Sequence, residues 1–339
     1  AKVKIAYFST KTFEHRFIEE ACAAEGHEPT LFEERLHAAT APLAQGFEAV
    51  CVFVNDAVCA HTIAALAAGG TKLLLCRSAG FNHVDLAAAA RHGLIVMRVP
   101  AYSPESVAEH AVGMILSLVR NLHHQYNRVR NGNYAMENIA GFTLAGKTAG
   151  IVGTGTIGVA VARILAGFGC RLLGSDPFPN PECEALGMVY VERDALFSQS
   201  DIVVLQAPLT SETRHMINAE SLKLFRKGSV LINTGRGALL DTRAVIEALR
   251  TLETVHYLGI DVYEDEAGLF FEDLSTEVIT DATLQFLTTM KNVLVTPHSA
   301  WLTREAIGEI AIVTAQNATC FASGLGDTAN LVPAPQVVQ

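Results

Sequence analysis

The stretch Thr148-Ala-Gly-Ile-Val-Gly-Thr-Gly-Thr-Ile-Gly158 decides the fold of this chain. Its apolar run over 149–152 predicts a buried strand, and three glycines with GxGxxG spacing follow that strand and open a helical pattern of apolar residues. A second strand, predicted over 171–175, ends on Asp176. A GxGxxG alone is weak evidence, but the order strand, glycine loop, helix, strand and acid predicts a dinucleotide site.

Each glycine of this loop has a distinct predicted role. Gly153 permits the tight turn, Gly155 lets a pyrophosphate approach the backbone, and Gly158 lets the helix pack closely on the strand. The pyrophosphate is expected at the N-terminus of the helix, where free N–H groups and the helix dipole favour negative charge. Asp176 favours NAD over NADP, because its carboxylate can accept hydrogen bonds from ribose hydroxyls and would repel a 2′-phosphate.

Composition narrows the class of protein. The 339 residues are half hydrophobic, which is enough for two domains with cores of their own, and the net charge is −10. No basic patch appears, which argues against nucleic acids and anionic membranes as partners. The longest apolar stretch in the first helical region, 111–119, is too short to span a bilayer, and the start of the chain is typical of a first strand and not of a signal peptide.

The seven cysteines are scattered and odd in number, and no two have CxxC spacing. This usage predicts a reduced, cytoplasmic protein whose cysteines are mostly small core residues. No metal site is predicted.

The chain alternates strand and helix, which predicts an α/β fold with two parallel-sheet domains and a cleft between them. We expect a discontinuous substrate domain from residues 1–101 and 300–339, and an NAD-binding Rossmann domain from 102–299. A long apolar helix is predicted over about 103–130, beginning at Ser103-Pro104. It is expected to lie in a subunit interface, or else only to pack between the domains.

Polar side chains follow three strands of the predicted second sheet. Arg236 follows the strand over 230–233, Asp261 and the run Tyr263-Glu-Asp-Glu266 follow 257–260, and His298 follows 293–295. Ligands bind beyond the carboxyl ends of such strands. An arginine, an acidic loop or a histidine alone could be an ordinary surface or capping group. All three at one edge of the sheet, beside a dinucleotide site, favour a catalytic role.

These residue types suit hydride transfer to a 2-oxo acid. A histidine can give or take the proton on the substrate oxygen, a glutamate can fix its tautomer, and an arginine can bind a carboxylate through two hydrogen bonds. In the first domain, the small residues of the loop 77–82 could let backbone N–H groups face the substrate carboxylate, and Tyr102 could line the same cleft. Ordinary turn chemistry is the alternative for these two loops.

The sequence resembles the D-2-hydroxyacid dehydrogenase family over nearly its whole length. The resemblance rests on 77–82, 99–104, 108–111, 153–158, 231–237, 261–264 and 296–298, and the segment Phe270-Phe-Glu-Asp273 is typical of the lactate subgroup. It implies a flavodoxin-like substrate domain, NAD as cofactor, and the reduction of pyruvate to D-lactate in the cytoplasm. It also implies homodimers, or tetramers built on the dimer, whose domains close over the substrate.

The resemblance also implies residue roles. His298 would be the acid/base paired with Glu266, and Arg236 would bind the substrate carboxylate together with the backbone of Ala79 and Gly80 and the side chain of Tyr102. The implied NAD contacts, besides the glycine loop and Asp176, are Thr156, Ile157, Ala207, Pro208, Thr213, Thr234, Gly235 and Asp261.

Two positions depart from the family pattern. Gln206 and Ala207 stand where histidine or cysteine is frequent, and Trp301 stands where lactate enzymes often have phenylalanine. Enzymes acting on hydroxypyruvate, glyoxylate or bulkier 2-oxo acids share the core motifs and stay open as alternatives. An NADH-sensing corepressor-like binding protein is the alternative from a different class. The late position of the glycine loop excludes the L-lactate dehydrogenases, and Glu266 argues against formate dehydrogenases, which pair their histidine with glutamine.

Overall fold

A computed structural model describes residues 2–324 and 329–333. The described residues form two compact units. One comprises the residues up to Ser103 together with those from Leu302 onward, and the other comprises Pro104–Trp301.

The first unit is a five-stranded parallel sheet with helices. Its strands are β1 (Lys4–Tyr7), β2 (Glu28–Leu31), β3 (Ala49–Val52), β4 (Leu73–Cys76) and β5 (Ile95–Arg98). Their spatial order is β2-β1-β3-β4-β5, which is the flavodoxin-like order. Strands β3 and β4 are buried along their whole length, as their continuous apolar sequences require in a parallel sheet. The predicted flavodoxin-like α/β unit is confirmed.

Strand β2 was not among the predicted strands. It is an edge strand, pairs only with β1, has no fully buried residue and contains Pro29. Proline is tolerated at a sheet edge, and a half-exposed strand gives no apolar run from which it could be predicted.

The helices of the first unit are α1 (Thr12–Glu25), α2 (Ala60–Ala68), α3 (Leu86–Arg91) and α12 (Arg304–Ala322), with a 3₁₀ turn at Ala41–Ala44. Helix α12 begins after Thr303, whose hydroxyl caps the N–H of Ala306, and packs against α1 and β4. The chain therefore completes its first unit with its last helix.

The second unit holds a seven-stranded parallel sheet. Its strands are β6 (Thr148–Val152), β7 (Arg171–Ser175), β8 (Val189–Tyr190), β9 (Ile202–Leu205), β10 (Ser229–Asn233), β11 (Val255–Ile260) and β12 (Val293–Val295). The order β12-β11-β10-β9-β6-β7-β8 places the strand before the glycine loop at the point where strand order reverses. This is the Rossmann arrangement, in which a dinucleotide lies at the carboxyl ends of the strands on either side of that point.

The helices of this unit are α4 (Pro104–Val119), α5 (Leu122–Arg130), α6 (Thr156–Gly167), α7 (Pro181–Ala185), α8 (Arg193–Gln199), α9 (Ala219–Leu222), α10 (Thr242–Thr251) and α11 (Ala282–Thr289). Apolar residues from α4, α6 and the central strands form one continuous core on one face of the sheet.

The long helix predicted over about 103–130 is two helices in the structure, so this part of the prediction is corrected. Asn121 adopts a left-handed φ of 52° between α4 and α5, and its side chain donates to the carbonyl of Ile139. The chain near Gly141 lies against the end of α4, where a β-carbon on Gly141 would come within 1.8 Å of the Val119 carbonyl oxygen. The segment near Gly141 occupies the space that a straight continuation of α4 would need, and no local sequence pattern predicts this crossing.

The two halves of the predicted helix also differ in burial. Helix α4 buries its apolar stripe against α6, β10 and β11 of its own unit, whereas α5 has no buried residue. Within the described ranges 2–324 and 329–333, no helix is long and apolar enough to cross a membrane.

Candidate active site

The glycine loop between β6 and α6 has the geometry of a phosphate cradle. Gly153 has a φ of 91° and packs so closely on the 206–207 backbone that a β-carbon would come within 2.7 Å of the Ala207 nitrogen. A β-carbon on Gly158 would lie 2.1 Å from the Gly153 carbonyl oxygen, whereas one on Gly155 would meet nothing within 4 Å. The first and third glycines thus hold the loop together, and the second leaves its backbone open to a ligand.

The N-terminus of α6 opens at this loop. Gly155 is the N-cap residue of the helix, and the first backbone hydrogen bond at this end runs from Val159 N–H to the Gly155 carbonyl. The preceding N–H groups, including those of Thr156 and Ile157, therefore have no helical acceptor, which is the usual binding site for a phosphate.

Asp176 lies at the carboxyl end of β7 and faces this loop. Its Oδ2 accepts a 2.7 Å hydrogen bond from Thr154 N–H, and its Oδ1 accepts a 2.8 Å bond from Phe178 N–H. Each carboxylate oxygen can accept a further hydrogen bond, so the group is both fixed in position and able to bind ribose hydroxyls.

The structure brings His298 and Glu266 into direct contact. His298 Nδ1 lies 2.8 Å from Glu266 Oε1, and the other Glu266 oxygen accepts from Tyr263 N–H at 3.1 Å. Because a carboxylate can only accept, Nδ1 carries the proton in this pair. The Nε2 atom has no hydrogen-bond partner within the described part of the chain, and the ring lies 5.6 Å from that of Phe271. An imidazole held through Nδ1 with Nε2 available is the arrangement of a general acid/base.

The turn that carries His298 is strained and is held by Asp261. His298 has a left-handed φ of 54°, which costs a residue with a β-carbon roughly 1–3 kcal/mol. The buried carboxylate of Asp261 accepts from the Thr296 hydroxyl at 2.6 Å, from Ser299 N–H at 2.8 Å and from Ala300 N–H at 2.9 Å. Asp261 was predicted to contact NAD, and in the structure its side-chain oxygens bind the turn that carries His298.

His110 of α4 completes this network. Its Nε2 lies 3.0 Å from the Thr296 hydroxyl oxygen. Since that hydroxyl donates to Asp261, it can only accept from the imidazole, so Nε2 of His110 carries a proton.

Arg236 lies on the turn after β10, with its side chain exposed. Its Nη1 donates to the Gly235 carbonyl at 2.9 Å, and no carboxylate within the described ranges forms an ion pair with it. Its remaining guanidinium donors can therefore bind an external carboxylate.

The turn after β10 is braced against the segment that follows β11. A β-carbon on Gly237 would lie 2.2 Å from the Tyr263 carbonyl carbon, so the two backbones touch there. Glu264 of that segment also accepts hydrogen bonds from His215 Nε2 at 2.9 Å and from Thr242 N–H, at the start of α10, at 3.2 Å. Burial acts to raise the pKa of Glu264, but the hydrogen bonds from Thr242 and His215 outweigh it and lower that pKa. The Arg236 turn thus rests on the segment that leads to Glu266.

In the first unit, the loop after β4 presents unpaired amides. The carbonyls of Ala79 and Gly80 accept from Arg98 Nη1 at 2.8 Å and from Ser78 Oγ at 2.7 Å, and neither residue's N–H has an acceptor within the described residues. Two adjacent N–H groups without acceptors are available to bind an anion. Tyr102, also partly buried, follows β5 in the same unit.

The other predicted cofactor contacts lie after β9 and β10. Thr213 Oγ1 donates to the Pro208 carbonyl at 2.6 Å, and Gly235 N–H donates to Asn233 Oδ1. Gln206, which departs from the family pattern, donates to Thr234 Oγ1 at 2.6 Å. Ala207 is buried beneath the glycine loop.

Some residues that shape the site were not singled out from the sequence as site residues. His110 lies in the 108–111 motif, and its only local signal is a histidine beside an apolar helical stripe. Thr296 could be suspected only from its place just before Pro297-His298. Thr154, Asn180 and Tyr190 around the glycine loop carry no signal, because their contacts depend on strand pairing.

Comparisons with known proteins show which family the chain belongs to. Residues 112–300 match the family described as D-isomer specific 2-hydroxyacid dehydrogenase, NAD binding domain. The D-lactate dehydrogenase of Escherichia coli strain K12 is 46% identical over 322 residues, which cover 95% of this chain and 98% of that protein.

Two solved structures are also similar over almost the full length. The pyruvate reductase of Chlamydomonas reinhardtii superposes with a TM-score of 0.92 at 42% identity, covering 96% of this chain and 99% of that one. The D-lactate dehydrogenase of Aquifex aeolicus, solved with NAD and lactic acid, superposes with a TM-score of 0.84 at 32% identity, covering 98% and 99%.

The Rossmann unit, its glycine loop and the histidine-glutamate pair define an NAD-dependent oxidoreductase. The chain belongs to the D-isomer-specific 2-hydroxyacid dehydrogenase family.

Proposed function

We propose that this protein catalyses the reversible reduction of pyruvate to D-lactate with NADH. The observation that carries the proposal is the 2.8 Å contact between His298 Nδ1 and Glu266 Oε1, which leaves Nε2 available for a substrate oxygen. The names of its relatives support pyruvate within the family, since the Escherichia coli protein is a D-lactate dehydrogenase and the Chlamydomonas protein a pyruvate reductase.

The residues of the chain fit bound NAD. The open side of Gly155 and the free N–H groups at the start of α6 would hold the pyrophosphate, and Asp176 would bind the ribose hydroxyls. Ala207, Pro208, Thr213, Thr234, Gly235 and Asp261 stay proposed contacts to the rest of the cofactor. Bound NADH supplies the hydride that reduces the carbonyl carbon.

The chain supplies orientation and the proton. Arg236 binds the substrate carboxylate, with the N–H groups of Ala79 and Gly80 and the Tyr102 side chain as further proposed ligands. His298 in its imidazolium form gives its Nε2 proton to the carbonyl oxygen, and the neutral ring takes that proton back in the reverse direction. Glu266 keeps the other proton on Nδ1 throughout, so Nε2 is the only ring atom that exchanges.

The experiment is a substrate comparison. NADH oxidation is followed by absorbance with pyruvate, hydroxypyruvate, glyoxylate and a branched 2-oxo acid, and the configuration of the product is determined. We expect the highest kcat/KM with pyruvate and D-lactate as product. A preference for another 2-oxo acid would assign the protein to a different branch of the family. Oxidation of none of them would favour the NADH-sensing binding protein.

We infer that the protein forms a homodimer, or a tetramer built on it, through the exposed apolar side chains of α5. Helix α5 is amphipathic, so its apolar side chains would be expected to be covered. Its apolar residues Leu122, Tyr126 and Val129 are nevertheless 51%, 63% and 50% exposed. Such an exposed apolar stripe is typical of an interaction surface. Light scattering tests it: Val129→Glu should yield monomers, whereas Val278→Glu, a control at an 86% exposed valine, should not. A monomeric unmodified protein would refute this inference.

We also infer that the protein works in the cytoplasm. Cys22, Cys51, Cys59, Cys76, Cys170 and Cys183 carry thiols outside any disulfide, and Cys22, Cys51, Cys76 and Cys183 are buried as small core residues. Fractionation of the source cells tests this location, and recovery of the protein in a membrane or secreted fraction would contradict it.

A further inference from the structure

The side chain of Tyr190 links the glycine loop to the loop that follows β7. Its hydroxyl donates a 2.8 Å hydrogen bond to Thr154 Oγ1 and accepts a 2.8 Å bond from Asn180 N–H. Thr154 lies between the first two glycines of the cradle and is 2% exposed. No motif in the sequence includes Tyr190 or Asn180.

These contacts close into a ring of hydrogen bonds. Asn180 Nδ2 donates to the Thr154 carbonyl at 3.0 Å, and Thr154 N–H donates to Asp176 Oδ2 at 2.7 Å. Every polar atom of the Thr154 backbone and side chain is thereby engaged by Asp176, Asn180 or Tyr190. The two loops that would hold the pyrophosphate and the ribose are thus joined through a single residue.

This ring of hydrogen bonds is anchored on the paired strands β7 and β8. Tyr190 is the last residue of β8 and pairs in register with Gly174 of β7, where a β-carbon would come within 3.0 Å of the tyrosine ring. The glycine therefore lets the ring lie close against the strand that ends at Asp176. Asn180 is fixed from its other side, because its Oδ1 caps the N–H of Glu182 in α7. Burial raises the pKa of Tyr190, which keeps the hydroxyl protonated and able to donate.

We propose that Tyr190 is a positioning residue that sets the affinity for NADH and the discrimination against NADPH. It does so by holding Thr154, and through Thr154 the carboxylate of Asp176, in a fixed place. A carboxylate fixed on two N–H groups cannot turn away from a 2′-phosphate, whereas one released from Thr154 can. Tyr190 itself contributes no contact to the cofactor in this account.

The test is Tyr190→Phe, which keeps the ring on Gly174 and removes only the hydroxyl. Two hydrogen bonds are lost, each of modest net strength, so we expect the Kd for NADH to rise by about five- to tenfold. The ratio of kcat/KM with NADH to that with NADPH should fall by at least about threefold. Turnover at saturating NADH should stay within about twofold, because the site of proton transfer is untouched.

Two further variants keep the test decisive. Asn180→Ser retains an oxygen that can cap Glu182 but loses the amide donor to Thr154. It should therefore raise the Kd for NADH and lower the NADH-to-NADPH ratio of kcat/KM, each by a smaller factor than Tyr190→Phe. Tyr257→Phe is the matched control, since Tyr257 is also a partly buried strand tyrosine and its hydroxyl has no hydrogen bond within the described residues. It should leave both quantities unchanged.

The proposal is overturned if Tyr190→Phe leaves the NADH affinity and the cofactor ratio within about twofold of the unmodified protein. It is equally overturned if the affinities for NADH and for NADPH fall by the same factor, because general damage to the glycine loop would have that effect. If Tyr190→Phe does not fold, the cofactor ratio of Asn180→Ser decides in the same way.

Discussion

Replacing Asp261 with asparagine should disable the turn that carries His298. The Asp261 carboxylate accepts three hydrogen bonds, from the Thr296 hydroxyl and from the backbone N–H groups of Ser299 and Ala300. An asparagine has one acceptor oxygen in place of two. In its best orientation it keeps the bonds from Thr296 and Ser299 and sets its own NH₂ group against the buried Ala300 N–H.

The magnitude follows from this mismatch. Losing the hydrogen bond from Ala300 N–H to the charged carboxylate leaves that buried donor unsatisfied, which costs about 1.5–3 kcal/mol. The left-handed backbone of His298 adds strain of roughly 1–3 kcal/mol, which the turn can then release. A loss near 3 kcal/mol corresponds to about a hundredfold in the population of the competent turn, so kcat/KM for pyruvate should fall by about that factor.

The assay is steady-state reduction of pyruvate beside the Kd for NADH and the Tm. Asp241→Asn is the matched control, because Asp241 only caps α10 and asparagine caps a helix equally well. A kcat/KM for Asp261→Asn within about threefold of the unmodified protein would refute the account of the turn. A loss confined to NADH affinity would show that Asp261 acts through its proposed contact to the cofactor and not through the turn.

Three further predictions follow from the same structure. Arg236→Lys should raise KM for pyruvate at least tenfold, because an ammonium group cannot form the paired hydrogen bonds of a guanidinium, and a normal KM would count against the bidentate role. Asp176→Ala should narrow the preference for NADH over NADPH in steady-state kinetics, and unchanged discrimination would exclude Asp176 as its source. Burial and the nearby charge of Arg77 lower the pKa of His83 from 6.5 to about 4, so between these pH values the unfolded chain binds a proton that the folded chain does not. Stability should therefore fall by up to about 3 kcal/mol as pH drops from 6.5 to 4, and thermal unfolding of His83→Asn should lack this contribution.

Much of the fold could be predicted because its strands and the glycine loop correspond to local sequence patterns. The buried strands are continuous apolar runs, and the glycine loop combines an apolar strand with three glycines at fixed spacing. The histidine at the edge of the second sheet could also be predicted, since parallel strands bring their carboxyl ends to one edge, whereas the choice of Glu266 among the neighbouring acids rested on the family resemblance. His298 and Glu266 lie 32 residues apart in sequence and still meet.

The features that were missed depend on contacts with no local signal. Tyr190 and Thr154 are 36 residues apart, and His110 and Thr296 are 186 residues apart, so neither pair appears in any short motif. The break between α4 and α5 depends on a later segment crossing the end of α4. Asp261 was expected to contact NAD, and its three hydrogen bonds to the His298 turn emerge only from the folded backbone.

The most direct test of the central account is the single-turnover rate of NADH oxidation by pyruvate in His298→Ala. If His298 gives the proton to the substrate oxygen, the rate should fall by roughly 10²–10⁴-fold while the Kd for NADH stays unchanged. A rate within about tenfold of the unmodified enzyme would contradict the role of His298 as the acid.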